Sequence, residues 1–218
     1  MIRIFSAVFA ALILSTLSVQ GQWRIGIHGG LNLADLREPD GYEYTGMWLM
    51  RPHMLAGIAI DYAISEHVLI AAQINFIQKG MATLNELTGL SEWGYTSFTG
   101  NYYEVPICVR WRIGTEPIRW FAECGPEVAL LESSRGRYTV LSWWQQKAHT
   151  EIGEYSGGFR KTELGLTVGA GGEYNLTGSL VLTFSVHYAR GMTEVFNDLW
   201  NGVRSEGVQF DCGVLVCL

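Results

Sequence analysis

The sequence predicts an all-β fold: an eight-stranded, antiparallel, up-and-down transmembrane β-barrel over residues 22–218, following a cleaved signal peptide at residues 1–21. Three observations predict it. Eight segments alternate apolar and polar residues with a period of two, the period of a half-buried strand. The apolar phase of these segments carries no charge, although 17% of the chain is charged. The connections alternate between tight turns and long stretches, the asymmetry of a barrel with one short-turned and one long-looped end.

The first residues, "MIRIFSAVFAALILSTLSVQGQW", place one cation at Arg3 before an apolar run from Ile4 to Val19. Val19-Gln20-Gly21 has small enough residues for cleavage before Gln22, which is the pattern of a secretory leader. The competing reading is a transmembrane anchor. The run is short for the ~20 residues a helical span needs, and Arg3 is its only flanking charge. No Cys follows the run, so a lipid anchor is not expected there. No later stretch is long and apolar enough for a helical span.

The strands follow in order. The first places Trp23, Ile25, Ile27, Leu31 and Leu33 on one face and Arg24, His28 and Asn32 on the other. The second alternates from Met54 to Ile64 and the third from Val68 to Phe76. In the fourth, Tyr103, Val105, Ile107, Val109, Trp111 and Ile113 oppose Glu104, Arg110 and Arg112. In the fifth, Trp120, Ala122, Cys124, Pro126, Val128 and Leu130 oppose Glu123 and Glu127. The sixth runs from Leu164 to Leu176 with Glu163, Thr167 and Glu173 on its polar side, and the seventh from Leu180 to Tyr188. The eighth is "VQFDCGVLVCL", alternating from Val208 to Leu218. Each is about the ~9–11 residues that cross a bilayer at a tilt.

Ser65-Glu66-His67, "GTEPI" at 114–118 and "NLTGS" around 175–179 are tight turns. Residues 34–53, 81–101, 132–160 and 192–206 are expected as long loops at the opposite end. A soluble barrel also alternates, but it turns its apolar face inward. Here the polar phase mixes Gly, Ala, Asn, Gln and Thr with a few charges of both signs, which suits a narrow filled interior. Trp23, Tyr62, Tyr103, Trp111, Trp120, Tyr174 and Tyr188 sit near strand ends, where interfacial girdles form. The apolar face is therefore expected to meet lipid, and no open pore is expected.

The net charge of −6 argues against nucleic acid as a partner, since its binders need a basic face. Cys108, Cys124, Cys212 and Cys217 lack metal-site spacing and are read as free thiols rather than two disulfides, with Cys108 and Cys217 pointing inward. "VGAGGEY" at 168–174 is not a dinucleotide loop, because it lies within a strand and no helix follows. No cofactor or metal is expected.

Five motifs recur in a familiar order: "GIHGGLNLADL", "INFIQKG", "YYEVPICVRW", "FAECGPEVALL" and "LGLTVGAGGEYNL". The sequence resembles the bacterial outer-membrane β-barrel domain family labelled porin-family or PorT-like, across the whole mature chain. The matching residues are Gly29, Gly30 and Asn32; Gln78, Lys79 and Gly80; Tyr102, Glu104 and Pro106; and Glu123, Gly125 and Pro126. Cys124, where the family has Ala, is a departure. The resemblance implies a barrel in the outer membrane of a Gram-negative cell envelope. It implies neither an activity nor conductance, and it does not place the chain in the family branch tied to secretion and gliding.

Several constellations qualify as candidate sites. Glu104, Arg110, Arg112, Glu123 and Glu127 lie inward on adjacent strands and are read as a structural ion-pair network rather than a transport path. Arg24, Asp61, Lys79, Glu163, Glu173 and Asp211 could join it. His53 and His149, with Ser133, Ser134, Ser142 and Glu151 near in sequence, show no triad spacing. Pro106 and Pro126, which forfeit ladder bonds, are expected at bulges. The aromatic patch at Trp143 and Trp144 is a candidate recognition surface. Asp211, Gly213, Val216 and Leu218 resemble a C-terminal signal read by the barrel assembly machinery, although the usual last residue is aromatic.

The expected function is that of a non-enzymatic integral outer-membrane barrel, either structural or presenting surface loops to a protein partner, within a secretion or envelope assembly. Its partners would be outer-membrane lipid, the assembly machinery and a protein at the long loops. Two alternatives stand beside it: an outer-membrane enzyme acting on lipid or peptide, and a secreted soluble barrel carrying an apolar ligand.

Overall fold

Ten β-strands build the described part of the chain in a computed structural model, which describes residues 23–37, 47–49, 51–87, 92–142, 147–154, 160–196 and 202–218. The leader segment lies outside them. The strands are β1 (Trp23–Arg37), β2 (Met47–Leu49), β3 (Arg51–Ala63), β4 (Val68–Leu87), β5 (Glu92–Thr115), β6 (Ile118–Ser142), β7 (Lys147–Glu154), β8 (Thr162–Thr177), β9 (Leu180–Gly191) and β10 (Arg204–Cys217). All pairings are antiparallel.

Eight of these strands close a barrel, each paired with its sequence neighbour and β1 joined to β10. The closing seam runs from Arg24↔Cys217 to Arg37↔Arg204. At its lower end the Leu218 amide donates to the Trp23 carbonyl at 2.8 Å. Closure leaves no unpaired edge in lipid, where an unpaired backbone group is costly. β2 and β7 lie beyond the barrel wall, pairing with the upper parts of β4 and β6.

The alternation sorts side chains by face as the sequence predicts. Ile27, Met54, Ile107, Val109, Leu166 and Phe184 point outward and are exposed, whereas Arg24, Asp61, Glu104, Arg110, Glu123 and Glu173 point inward and are buried. This inverts a soluble barrel and rules out the soluble-carrier alternative. Trp23, Tyr62, Trp111, Trp120 and Tyr174 ring the short-turned end, with the Trp23 and Tyr62 rings 4.7 Å apart. Phe76, Tyr103 and Tyr188 form the second belt, with Phe76 and Tyr103 edge to face at 5.8 Å. The belts are separated by eight residues of strand, as from Val68 to Phe76. That is roughly 20 Å along the membrane normal for a strand tilted ~40°.

Two expectations are corrected. Much of the sequence expected as long loops is strand: residues 81–87, 92–101, 132–142 and 147–154 continue the ladders past the belt. β5 alone has 24 residues, more than twice the ~9–11 needed to span the bilayer. Beyond lipid both faces of the ladder can be polar, so the alternation that marks a strand fades. The prolines, moreover, are not at bulges. The β5–β6 register is the same on both sides of Pro106 and Pro126, which only interrupt the ladder. The shift in that pair lies between Asn101 and Tyr102, where β6 carries the additional residue Glu132. Gly125, beside Pro126, lets the two backbones close up, because a Cβ there would lie 2.0 Å from the Ile107 carbonyl oxygen.

Candidate functional site

The interior is stacked in layers. Nearest the turns, Arg24 donates to Glu173 through both terminal nitrogens at 2.9 Å and to Asp61 at 2.7 Å. Arg110 donates to Glu123 at 2.6 Å and lies 3.2 Å from Glu173 and 3.4 Å from Asp61. Its guanidinium also covers the Phe121 ring at 4.1 Å. His187 joins Glu123 through Nε2 and Asp211 through Nδ1, the latter at 3.1 Å. Gly169 makes room for this imidazole, since a Cβ there would strike the ring. Both ring nitrogens are thus committed to carboxylates, which leaves none free to activate a nucleophile.

The second layer is higher in the barrel. Lys79 bonds Glu104 at 2.7 Å and lies 3.9 Å from both Glu127 and Glu163. Gln209 donates to Glu104 at 3.2 Å, and the Ser205 hydroxyl donates to Glu163. Three carboxylates therefore surround one ammonium. Glu104, Arg110, Arg112, Glu123 and Glu127 consequently do not form one network. Glu104 and Arg110 are six residues apart on β5, about 20 Å of strand, so each joins a separate layer. Arg112 touches the lower layer loosely, 3.7 Å from Glu173.

Above both layers lies an apolar lid. Leu36, Met81, Val195, Phe196 and Val203 pack together with Phe98 and Leu131 at the mouth opposite the turns. Val195 and Phe196, which follow β9, are buried in this cluster. Arg160 holds this segment by donating its amide to the Val195 carbonyl at 2.7 Å and its side chain to Glu194 at 3.2 Å. Between the ionic layers lies a void of about 10 Å³, bounded in part by Glu104, Pro106, Cys108, Glu123 and Gln209. That is near the minimum for a single water. The cavity at the turn end, about 370 Å³, stops at Arg24 and Glu173.

Other singled-out residues fall as follows. Asp211 is buried against His187, and Gly213 faces the His28 side chain. Val216 and Leu218 point outward and are exposed. Cys108 is buried, Cys124 and Cys212 are exposed, Cys217 is half-buried, and all four are free thiols. His53 is buried at the upper end of β3 opposite Asn32. His149 pairs Val140 in the β6–β7 ladder, outside the barrel wall. Trp143 and Trp144 lie outside the described residues. Among the described residues, no group of three or more His, Cys, Asp or Glu is arranged to hold a metal ion. Lys79 and His187 are the participants whose central place the sequence does not show. Their strand phase marks them as inward, but their partners come from several strands: Glu104, Glu127 and Glu163 reach Lys79 from β5, β6 and β8, and Glu123 and Asp211 reach His187 from β6 and β10.

Residues 15–197 match the family model described as outer membrane protein beta-barrel domain. No curated protein matches the chain. The outer membrane protein OprG from Pseudomonas aeruginosa is similar with a TM-score of 0.52 at 10% identity, over 91% of this chain and 96% of that one. Neisserial surface protein A aligns over 89% of this chain and 96% of its own, at 14% identity and a TM-score of 0.48. Ail, the attachment invasion locus protein of Yersinia pestis, aligns over 89% and 99% at 15% identity and a TM-score of 0.41. The likeness to OprG concerns the fold.

Proposed function

The chain belongs to the outer membrane protein beta-barrel domain family and resides in the outer membrane, and on that premise we propose that it is a non-enzymatic barrel presenting its extended end to a protein partner at the cell surface. The observation that carries this reading is the asymmetry of the strands. At one end the connections are tight turns, such as Glu116–Pro117 and Gly178–Ser179. At the other, β4, β5 and β6 run on together as far as Leu87, Glu92 and Ser142, flanked by β2 and β7. Short turns face the periplasm in barrels of this kind, so the extended sheet stands outside the cell.

The filled interior supports a structural role for the ion pairs over transport. Paired charges satisfy one another, and a barrel of eight strands has room only for side chains. Outer-membrane lipid is the partner of the apolar belt. Outward Val216 and Leu218, two steps apart on the strand that closes the barrel, support the reading of Asp211, Gly213, Val216 and Leu218 as the segment seen by the assembly machinery.

Photocrosslinking in intact cells tests the proposal. A crosslinking amino acid at Arg135 or Arg137, both exposed on the extended part of β6, should yield a discrete protein adduct. The same probe at Thr115, at the turn end, should not yield it. Identical adducts from both ends, or none from β6, would contradict presentation to a partner.

A further inference from the structure

The lipid-facing wall carries a groove that no described residue fills. It crosses β8, β9, β10 and β1 and measures about 700 Å³. Gly29, Cys212 and Phe184 line one side of it, and Ile27, Leu182 and Tyr174 line the other. The set of the Phe184 ring opens it. That ring leans away across Gly172, where a Cβ would lie 2.6 Å from Phe184 Cε1, and meets Trp120 edge to face at 5.9 Å. The Cys212 thiol lies along the wall, donating to the Gly29 carbonyl at 3.8 Å. The floor over Gly29 and Cys212 is left bare.

Packing within the barrel does not require glycine at position 29. At Gly26 and Gly30, on the same strand, a Cβ would lie 1.9 and 1.8 Å from backbone oxygens of β10. At Gly29 it would meet only the Leu55 carbonyl oxygen, at 3.4 Å, an ordinary contact. A glycine inside a strand weakens it and often marks a place where a ligand comes close to the backbone. The course of the groove says which ligand. The row of paired residues through Cys212 and Gly29 climbs from Trp120 in the turn-end belt to Phe76 in the other. From Tyr174 on β8 to Gly29 on β1 it crosses three strand spacings, about 14 Å. That is close to half of the ~30 Å hydrocarbon core, the reach of one leaflet's chains. A second barrel would present a convex wall, which bridges such a groove without entering it. A single file of methylenes can lie along its floor.

We propose, on the reading that the apolar belt meets lipid and the tight turns face the periplasm, that this groove holds one acyl chain of a periplasmic-leaflet phospholipid, entering beside Tyr174 and ending at Gly29. Tyr174 belongs to the turn-end belt, the level at which headgroups begin. Within a bilayer apolar burial supplies no driving force, so the chain is held by van der Waals contact along the floor and walls.

The test uses the full chain refolded into phosphatidylethanolamine–phosphatidylglycerol vesicles with a trace of phosphatidylethanolamine carrying a diazirine in one acyl chain. Adducts formed on irradiation are mapped by mass spectrometry. Cys124 is the internal control, an exposed thiol on the lipid face of β6, outside the groove. With the diazirine at the chain end, labelling of Cys212 should exceed that of Cys124 severalfold. With the diazirine near the headgroup, the excess should move to Tyr174 and Leu182. Gly29→Leu, which fills the floor, and Leu182→Trp, which obstructs the entrance, should each bring Cys212 down to the level of Cys124. The wild-type ratio stands even if either variant fails to fold. Equal labelling of Cys212 and Cys124 would overturn the groove while leaving the lipid-facing belt intact, and no labelling of either would overturn the belt's contact with lipid as well. Labelling in the reverse order along the chain would mean entry from the outer leaflet. Dimers trapped through Cys212 by a thiol crosslinker, in place of lipid adducts, would give the groove to a second barrel. Either result would also overturn the proposal.

Discussion

Lys79→Met is expected to be the most damaging single substitution in the barrel interior. Lys79 is the one cation within 4 Å of Glu104, Glu127 and Glu163 among the described residues. Methionine would fill similar space and leave three buried carboxylates facing one another. Breaking a buried pair by removing one partner costs about 3–5 kcal/mol, and here one removal strands three acids. The loss should exceed that of Glu104→Gln, which leaves Lys79 with two acids for company. Urea unfolding of the refolded protein in micelles, monitored by the heat-dependent gel shift of folded barrels, would measure both. Equal stability of Lys79→Met and wild type would show that the acids do not depend on this ammonium.

Gly30→Ala should prevent the barrel from closing. A Cβ at Gly30 would lie 1.8 Å from the Phe210 carbonyl oxygen and 2.8 Å from the Asp211 Cα. Both obstacles are backbone, so no rotamer change relieves them. β1 and β10 would have to separate by more than 1 Å to restore ordinary contact, which breaks ladder bonds on both sides of Gly30↔Asp211. In lipid, unpaired amides cost several kcal/mol each. The expected result is a chain made but not converted to the compact, heat-modifiable form. Gly26 has the same relation to the Val214 carbonyl, at 1.9 Å, and Gly26→Ala should behave alike. Gly178→Ala is the control, because nothing lies within 4 Å of its position. A normally assembled Gly30→Ala barrel would mean the seam is looser than its register indicates.

The barrel was legible because lipid imposes one rule on every spanning segment. From Trp23 to Leu33 and from Tyr103 to Ile113, alternate residues must be apolar whatever else the protein does, and that rule appears in a single sequence. Past the belt the rule lapses. "MATLNEL" at 81–87 and "EWGYTSFTG" at 92–100 therefore look like loop in sequence although they are paired strand. The interior was legible in direction but not in partnership. Phase alone shows that Glu104 and Arg110 point inward. It cannot show that β4 delivers Lys79 to Glu104 while β8 delivers Glu173 to Arg110, because that depends on barrel tilt and stagger. Phase also hides the apolar inward residues. Leu69 and Ile77 are completely buried within the barrel, yet in sequence they interrupt a face that reads as polar.

The barrel is filled: two ionic layers, a void of about 10 Å³ between them and an apolar lid above. Single-channel recording of the refolded wild-type protein in a planar lipid bilayer is the decisive measurement. The membrane should stay electrically silent, with no discrete current steps under applied voltage. Reproducible steps of fixed amplitude from the purified protein would mean a continuous water path through the layers, and would contradict a filled interior.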